Sequence, residues 1–194
     1  FEDVRNQKEI DAYNEAQAKN RKMRQDRYQY ERYKARLGED APKSFSAFRR
    51  IKKAGGDKWE ILKSQYKGMG YYEKALKNEP DITKAVINTA NEAKIETAGL
   101  EFRVKSKKSF LPKTKYNYDP SGNEYEVKDI LRYTFVSTPD NLVNKTINCI
   151  DAFKKKGYNT IAVKNYWLNK NNPYNGINSF ILTKSGQKFE VQYH

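Results

Sequence analysis

The sequence predicts an α+β protein: a helical N-terminal half, followed by a mixed, mostly antiparallel sheet of about five strands flanked by helices. Three observations carry this. Residues 1 to about 37 contain no proline or glycine and are dense in Lys, Arg, Glu, Gln and Ala, all good helix formers. As far as Gly99, apolar residues recur at helical spacing. Beyond Gly99 the period shortens to two in several brief runs bounded by turn residues. Helices first and mostly strands afterwards point to an α+β sheet backed by helices.

Taken in order, the first helix has a thin apolar stripe (Val4, Ile10, Tyr13, Met23, Tyr30, Tyr33, Leu37) and reads as a long, largely solvated arm. Gly38 and Pro42 end it. Ser44 is placed to cap a short helix with Phe45, Phe48 and Ile51 on one side, which Gly55-Gly56 closes. Asp57 with Glu60 three residues on has the form of a capping box, and Trp59, Leu62 and Tyr66 follow at helical spacing. Together these segments predict a helical hairpin with an aromatic seam. Pro80 restarts the chain, Asp81 caps a helix carrying Ile82, Val86, Ala90 and Ala93, and Gly99 closes it. Strands are predicted at 102–104, 131–136, 161–163, 179–182 and 188–193, the last two joined by a hairpin turn at Ser185-Gly186. Between the second and third, Thr138-Pro139-Asp140 starts a helix with an apolar stripe of Leu142, Ile147, Ile150 and Phe153, ended by Gly157. The expected domains are 1–78, helical, and 79–194, the α+β part.

Lys and Arg number 38 against 24 Asp and Glu, a net charge of +14 that points to nucleic acid, nucleotides or an anionic surface as partner. No run of about 18 apolar residues is present, so no membrane span is expected, and no signal-peptide pattern opens the chain. Cys149 is the one cysteine and His194 the one histidine, which excludes an internal disulfide and a Cys/His zinc cluster. The expectation is an intracellular or virion-packaged protein without a structural metal. Beginning on Phe1 and stopping at His194 after a strand-like run, the chain reads as a piece of a longer polypeptide.

Several residues suit phosphate chemistry. Arg103, Lys105, Lys107, Lys108 and Lys113 share one short stretch with Ser106 and Ser109; it is either a solvated basic edge or a set of cations and hydroxyls that converges on a polyphosphate. Asp129 and Glu190 stand in strand-like runs, where an acid is either the solvent face of a strand or part of a site. Glu190, Gln192 and His194 share one parity and would form a polar face. In so basic a chain an acid pair also suits a magnesium ion bridging nucleotide phosphates. Tyr174, between Pro173 and Asn175-Gly176, falls in a turn with its ring expected to be exposed, either to stack on a base or to pack on a neighbouring loop.

Two stretches resemble known families. Residues 43–52 and 59–66, preceded by Tyr30-Glu-Arg-Tyr-Lys34, resemble the C-terminal part of tailed-phage minor head (head morphogenesis) proteins, over roughly 20–70. Residues 100–194 resemble the synthetase domain of the RelA/SpoT family. The resemblance is carried by Arg103-Val-Lys-Ser106 with Ser109 and Lys113, then Asp129, then Tyr174-Asn-Gly-Ile-Asn178, then Glu190-Val-Gln192. It implies a toxin-like pyrophosphokinase that moves pyrophosphate from ATP to a ribose 3′-hydroxyl of a nucleotide or a tRNA end. Arg103, Lys105, Ser106, Ser109, Lys113 and Arg132 would hold the ATP phosphates. Asp129 and Glu190 would be catalytic and bind Mg2+, and Tyr174, Asn178, Gln192 and His194 would receive the acceptor. The chain departs from the family pattern in Asp129-Ile-Leu-Arg132-Tyr-Thr134, where threonine stands at an arginine position, and in Asn178 at the turn histidine. The implied partners are a nucleotide or tRNA acceptor, phage head components or DNA, and a neutralising antitoxin or immunity protein. The implied location is a phage virion or the bacterial cytoplasm. The alternative is a catalytically inert minor head protein that binds DNA or the portal. An enzyme requires Asp129 and Glu190 carboxylates within roughly 4 to 8 Å of each other, with Arg103 and Lys105 facing the same cleft.

Overall fold

The computed structural model describes residues 2–114, 127–168, 171 and 173–194. Among the described residues the chain is α+β: helices dominate as far as Thr114, interrupted by one short strand at Glu96–Ala98, and the other four strands of a five-stranded mixed sheet follow together with one further helix. It divides into two compact units, residues 1–69 and 70–194.

The first unit contains α1 (Glu2–Leu37), α2 (Phe45–Ala54) and the start of α3 (Gly56–Ala93). Gly38–Asp40 forms a single 3-10 turn after α1. Ser44 caps α2, its hydroxyl accepting from the Ala47 N–H at 3.2 Å. Gly55 and Gly56 both take positive φ, the conformation that lets α2 stop and α3 leave in a new direction. The predicted Asp57/Glu60 capping box is not what starts α3: Asp57 lies inside its first turn, and Glu60 pairs with Lys63. The aromatic seam does form. Phe48 is fully buried, edge-on to Tyr33 and Trp59, while Tyr33 stacks on Tyr66 with ring centroids 4.2 Å apart. These rings give a helical unit with few aliphatic side chains its core.

The second unit begins at Gly70 within α3. The predicted restart at Pro80 is absent, because α3 runs unbroken through it. Proline removes one backbone donor and leaves the Leu76 carbonyl unpaired within the helix. Both residues lie on the solvent side, and the buried stripe Tyr72, Ala75, Ile82, Val86, Ala90 and Ala93 keeps its phase across them. Burial of the stripe holds the helix together.

The first strand is also displaced from its predicted place. Residues 100–102 form a 3-10 turn and Val104 makes only an isolated bridge to Leu131, whereas β1 is Glu96–Ala98. After β1 come α4 (Lys107–Thr114), β2 (Arg132–Val136), α5 (Pro139–Lys155), β3 (Asn159–Asn165), β4 (Ile177–Leu182) and β5 (Lys188–Tyr193). Among the described residues the sheet order is β1-β2-β5-β4-β3, with only β2 and β5 parallel. Gly186 at φ 76° closes the predicted hairpin between β4 and β5. One sheet face is the core: Tyr133, Phe135, Phe189, Val191 and Tyr193 are essentially inaccessible, and Phe153 of α5 lies edge-on to Phe189. The stripe α5 buries is Leu142, Thr146, Cys149, Ala152 and Phe153. Ile147, predicted in that stripe, is half exposed, one residue further round the helix than Thr146. Among the described residues no helix is long and apolar enough to cross a membrane.

Candidate active site

The site lies in the second unit and is assembled by strand register. Arg132 opens β2 directly beside Glu190 of β5 in the parallel ladder; across β5 in the other direction, Asn178 of β4 stands opposite Gln192. Alternation then puts Arg132, Glu190 and Asn178 on the face away from the apolar core. The segment before α4 joins them by two backbone bonds: Arg132 N–H donates to the Arg103 carbonyl (2.8 Å) and Lys105 N–H to the Ile130 carbonyl (2.9 Å). Lys105 is thereby set beside Asp129. The Tyr72 hydroxyl donates to the Lys105 carbonyl at 2.7 Å and its ring packs on buried Phe110, fixing the start of α4.

The side chains form one connected chain. Asp129 Oδ2 accepts from Lys105 Nζ and from Arg132 Nη2 (3.1 Å), with Lys113 Nζ at 3.9 Å. The same guanidinium donates through Nε to Glu190 Oε2 at 2.9 Å. Asn178 Nδ2 donates to the other oxygen, Oε1, at 2.7 Å. The Tyr174 hydroxyl donates to Asn178 Oδ1 at 2.6 Å, and His194 Nε2 lies 3.2 Å from that hydroxyl. His194 Nδ1 in turn donates to the Asn175 carbonyl at 3.1 Å. Asp129 and Glu190 are thus linked through a single arginine.

Burial and charge oppose each other here. Burial alone would push the Asp129 carboxyl up, but Lys105, Lys113 and Arg132 outweigh it and hold it below the ordinary aspartate value. Lys105 is lowered, chiefly by burial against the pull of Asp129, with Lys113 adding to the lowering. The Tyr174 phenol is raised, first by burial and then by the charge of Glu190.

Beside Asp129 opens a cavity of about 480 Å3, within the range of small-molecule sites. Lys105, Ser106, Ser109, Lys113, Asp129 and Arg132 all line it. The Ser106 hydroxyl also caps α4, accepting from the Ser109 N–H at 3.2 Å. Gln192 sits in register between Thr134 and Asn178.

Two predicted members are placed differently. Arg103 does not face the cavity: its guanidinium pairs with Glu79 of α3 and donates to the Leu100 carbonyl at 2.7 Å, while Thr83 links Glu79 to the Tyr133 hydroxyl. The hydrogen bond from Arg103 holds the Glu79 carboxyl below its ordinary value against the effect of burial. Arg103 and Lys105 diverge because the 3-10 turn at 100–102 replaces the expected strand. Tyr174 is not an exposed turn aromatic either. Its ring is half-buried, edge-on to Tyr166 at 5.2 Å and to His194 at 5.3 Å.

Sequence reasoning missed Glu79, for which no local signal exists, and the bond from Asn178 to Glu190, for which one does. Counting back from the Ser185-Gly186 turn places Asn178 opposite Gln192 and diagonal to Glu190. Gly176 completes the loop: a Cβ there would lie 3.0 Å from the Tyr174 hydroxyl and 3.1 Å from His194 Cε1.

Among the described residues no cluster of three or more His, Cys, Asp or Glu side chains could hold a metal by itself. No family model matches the chain, and no curated protein matches it. Among solved structures, the chain is similar to one in the crystal structure of the complex between the type VI effector Tas1 and its immunity protein, at 23% identity and a TM-score of 0.47. The match covers 66% of this chain and spans 60% of that one, so the chemistry has to be read from this chain's own residues.

Proposed function

We propose that the second unit is a pyrophosphate-transferring enzyme of RelA/SpoT synthetase type, with ATP as donor and the ribose 3′-hydroxyl of a nucleotide or tRNA end as acceptor. The observation that carries this reading is the Arg132 guanidinium shared by Asp129 and Glu190 at the edge of a cation-lined cavity. A pure phosphate binder gains nothing from Asp129 in its cavity wall and Glu190 behind Arg132, because both acids draw its cations away from the ligand. A transferase uses both: cations to hold a polyphosphate, and a carboxylate to take the proton of the attacking hydroxyl.

On this reading Lys105, Lys113 and Arg132 leave Asp129 for the phosphates of ATP, assisted by the Ser106 and Ser109 hydroxyls. Arg103, held by Glu79, takes no phosphate and instead fixes the backbone to which Arg132 is bonded. Asn178 and Arg132 hold the Glu190 carboxylate in one orientation. Glu190 takes the 3′-hydroxyl proton as that oxygen bonds to the β-phosphorus. The bond from this phosphorus to the oxygen bridging it to the α-phosphate breaks, and AMP departs with that electron pair. Tyr174, with Asn178, Gln192 and His194, receives the acceptor. Magnesium suits the donor set, since it takes one or two carboxylates together with phosphate oxygens. Asp129 and Glu190 would hold it once the cations have moved to the phosphates. When bound, it supplies neutralisation of the charge on the transferring group. In this scheme the first unit is a carrier of phage head type, and a neutralising immunity protein is the natural partner of such a toxin.

The test is incubation with γ-labelled ATP and magnesium, offering GDP, GTP, ADP and deacylated tRNA in turn. Glu190→Gln should lower label transfer about 100- to 10,000-fold, the usual worth of a general base. Transfer to no acceptor, or equal transfer by the variant, would overturn the assignment.

A further inference from the structure

We infer that the first unit carries a second, separate anion site: a groove between α1 and α2 that binds the phosphate backbone of a nucleic-acid duplex. Lys19, Lys22 and Asp26 lie three and four residues apart and so share one face of α1; Ser46, Arg49, Arg50 and Lys53 do the same on α2. The two stripes line one cavity of about 870 Å3, which Lys52 also borders.

The charge in this groove is mostly unspent. Asp26, 5% exposed, is its one acid. Lys52 donates to Asp26 Oδ1 and to Gln29 Oε1, each at 2.6 Å, and Arg49 Nε reaches Asp26 Oδ2 at 3.4 Å. Asp26 therefore ties α2 to α1 and neutralises the two cations nearest the seam. Lys19, Lys22, Arg50 and Lys53 are exposed and make no ion pair among the described residues. Four like charges facing one concavity repel one another, a cost that an anionic occupant offsets. The other side of α2 is used for packing, with Phe48 buried among Tyr30, Tyr33 and Trp59, so the cationic stripe is held on a fixed scaffold.

The occupant follows from what the groove offers. Each stripe spans eight residues, about 10 Å along its helix, the axial span of roughly three phosphates of one strand. Single strands are held by aromatic platforms on which bases stack. No aromatic residue lines this groove, and Phe45, at the start of α2, has the Arg27 guanidinium over its ring at 4.1 Å. Charge without stacking fits a duplex held by its backbone, without sequence preference.

The test is fluorescence anisotropy of the full chain with a labelled 20-base-pair DNA duplex, the matching RNA duplex and the corresponding single strands, over a range of salt. Four phosphate contacts predict a slope of log affinity on log salt of about −4 for the duplex. Arg50→Gln with Lys53→Gln should weaken duplex binding roughly 10- to 50-fold at 0.1 M salt and reduce the slope by about 2. Lys8→Gln with Lys84→Gln removes the same charge outside the groove and should leave both nearly unchanged. Comparison of the DNA and RNA arms identifies the source of the backbone. Equal losses in the two double variants, or single strands bound as tightly as duplexes, would overturn the inference.

Discussion

The two units use acids in opposite ways. In the first, Asp26 is nearly inaccessible and holds two cations, while four others around it make no ion pair among the described residues. In the second, Asp129 and Glu190 share Arg132, and Lys105 and Lys113 also turn to Asp129. One unit presents its positive charge to solvent. The other holds it in reserve against its own carboxylates, where a polyphosphate would have to compete for it. Net charge alone does not distinguish these arrangements; the position of the acids does.

Three changes would break or sharpen this contrast. The largest effect is expected from Phe48→Ala, which empties the centre of the aromatic seam and should destabilise the first unit by about 3 to 5 kcal/mol. Denaturant unfolding followed by the fluorescence of Trp59, which packs on Phe48, would measure it. A loss below about 1 kcal/mol would mean that the seam is not what holds these helices.

Asp26→Asn comes next. It leaves Lys52 and Arg49 without their counter-ion, but both are partly solvated, with side chains 33% and 45% exposed. The expected cost is therefore about 1 to 2 kcal/mol rather than that of a fully buried pair. The same unfolding experiment reads it, and an unchanged midpoint would show that Asp26 does not tie α2 to α1.

The smallest effect concerns pH. The Asp129 carboxyl is held below its ordinary value in the folded protein, so the unfolded chain takes up the proton first as pH falls. The stability it contributes is fully present above the ordinary aspartate value of about 4 and is lost as pH drops through the lower folded value. Between pH 5 and 2 the parent should lose more stability than Asp129→Asn. Parallel acid profiles for the two proteins would show that Asp129 is not held as an anion by its cations.

Much of the fold was legible in the sequence because its signals are local. Ser44 caps α2, the Gly55-Gly56 pair separates two helices, Pro139 opens α5, and Ser185-Gly186 turns the last hairpin, each through the backbone conformation of a few adjacent residues. Local rules failed where a longer-range interaction outweighed them. Pro80 reads as a break, but the apolar stripe of α3 stays in phase across it. Residues 102–104 alternate like a strand, yet β1 forms at Glu96–Ala98, where antiparallel pairing with β2 is available. The candidate site divides in the same way. The residue types and the shared face of Glu190 and Gln192 follow from strand parity, and the diagonal from Asn178 to Glu190 follows from the hairpin register.

What this sequence determined by itself is its fold class, the positions of most turns and caps, and a surplus of cations. These depend on side-chain period and backbone preference within a few residues. The pairings of the charges were decided only by the tertiary structure: Arg103 on Glu79, Arg132 between Asp129 and Glu190, and Lys52 on Asp26. An ion pair depends on distance in space, and these partners are separated by as many as 58 positions along the chain. Only the packing of helices and the register of strands brings them within a few ångströms.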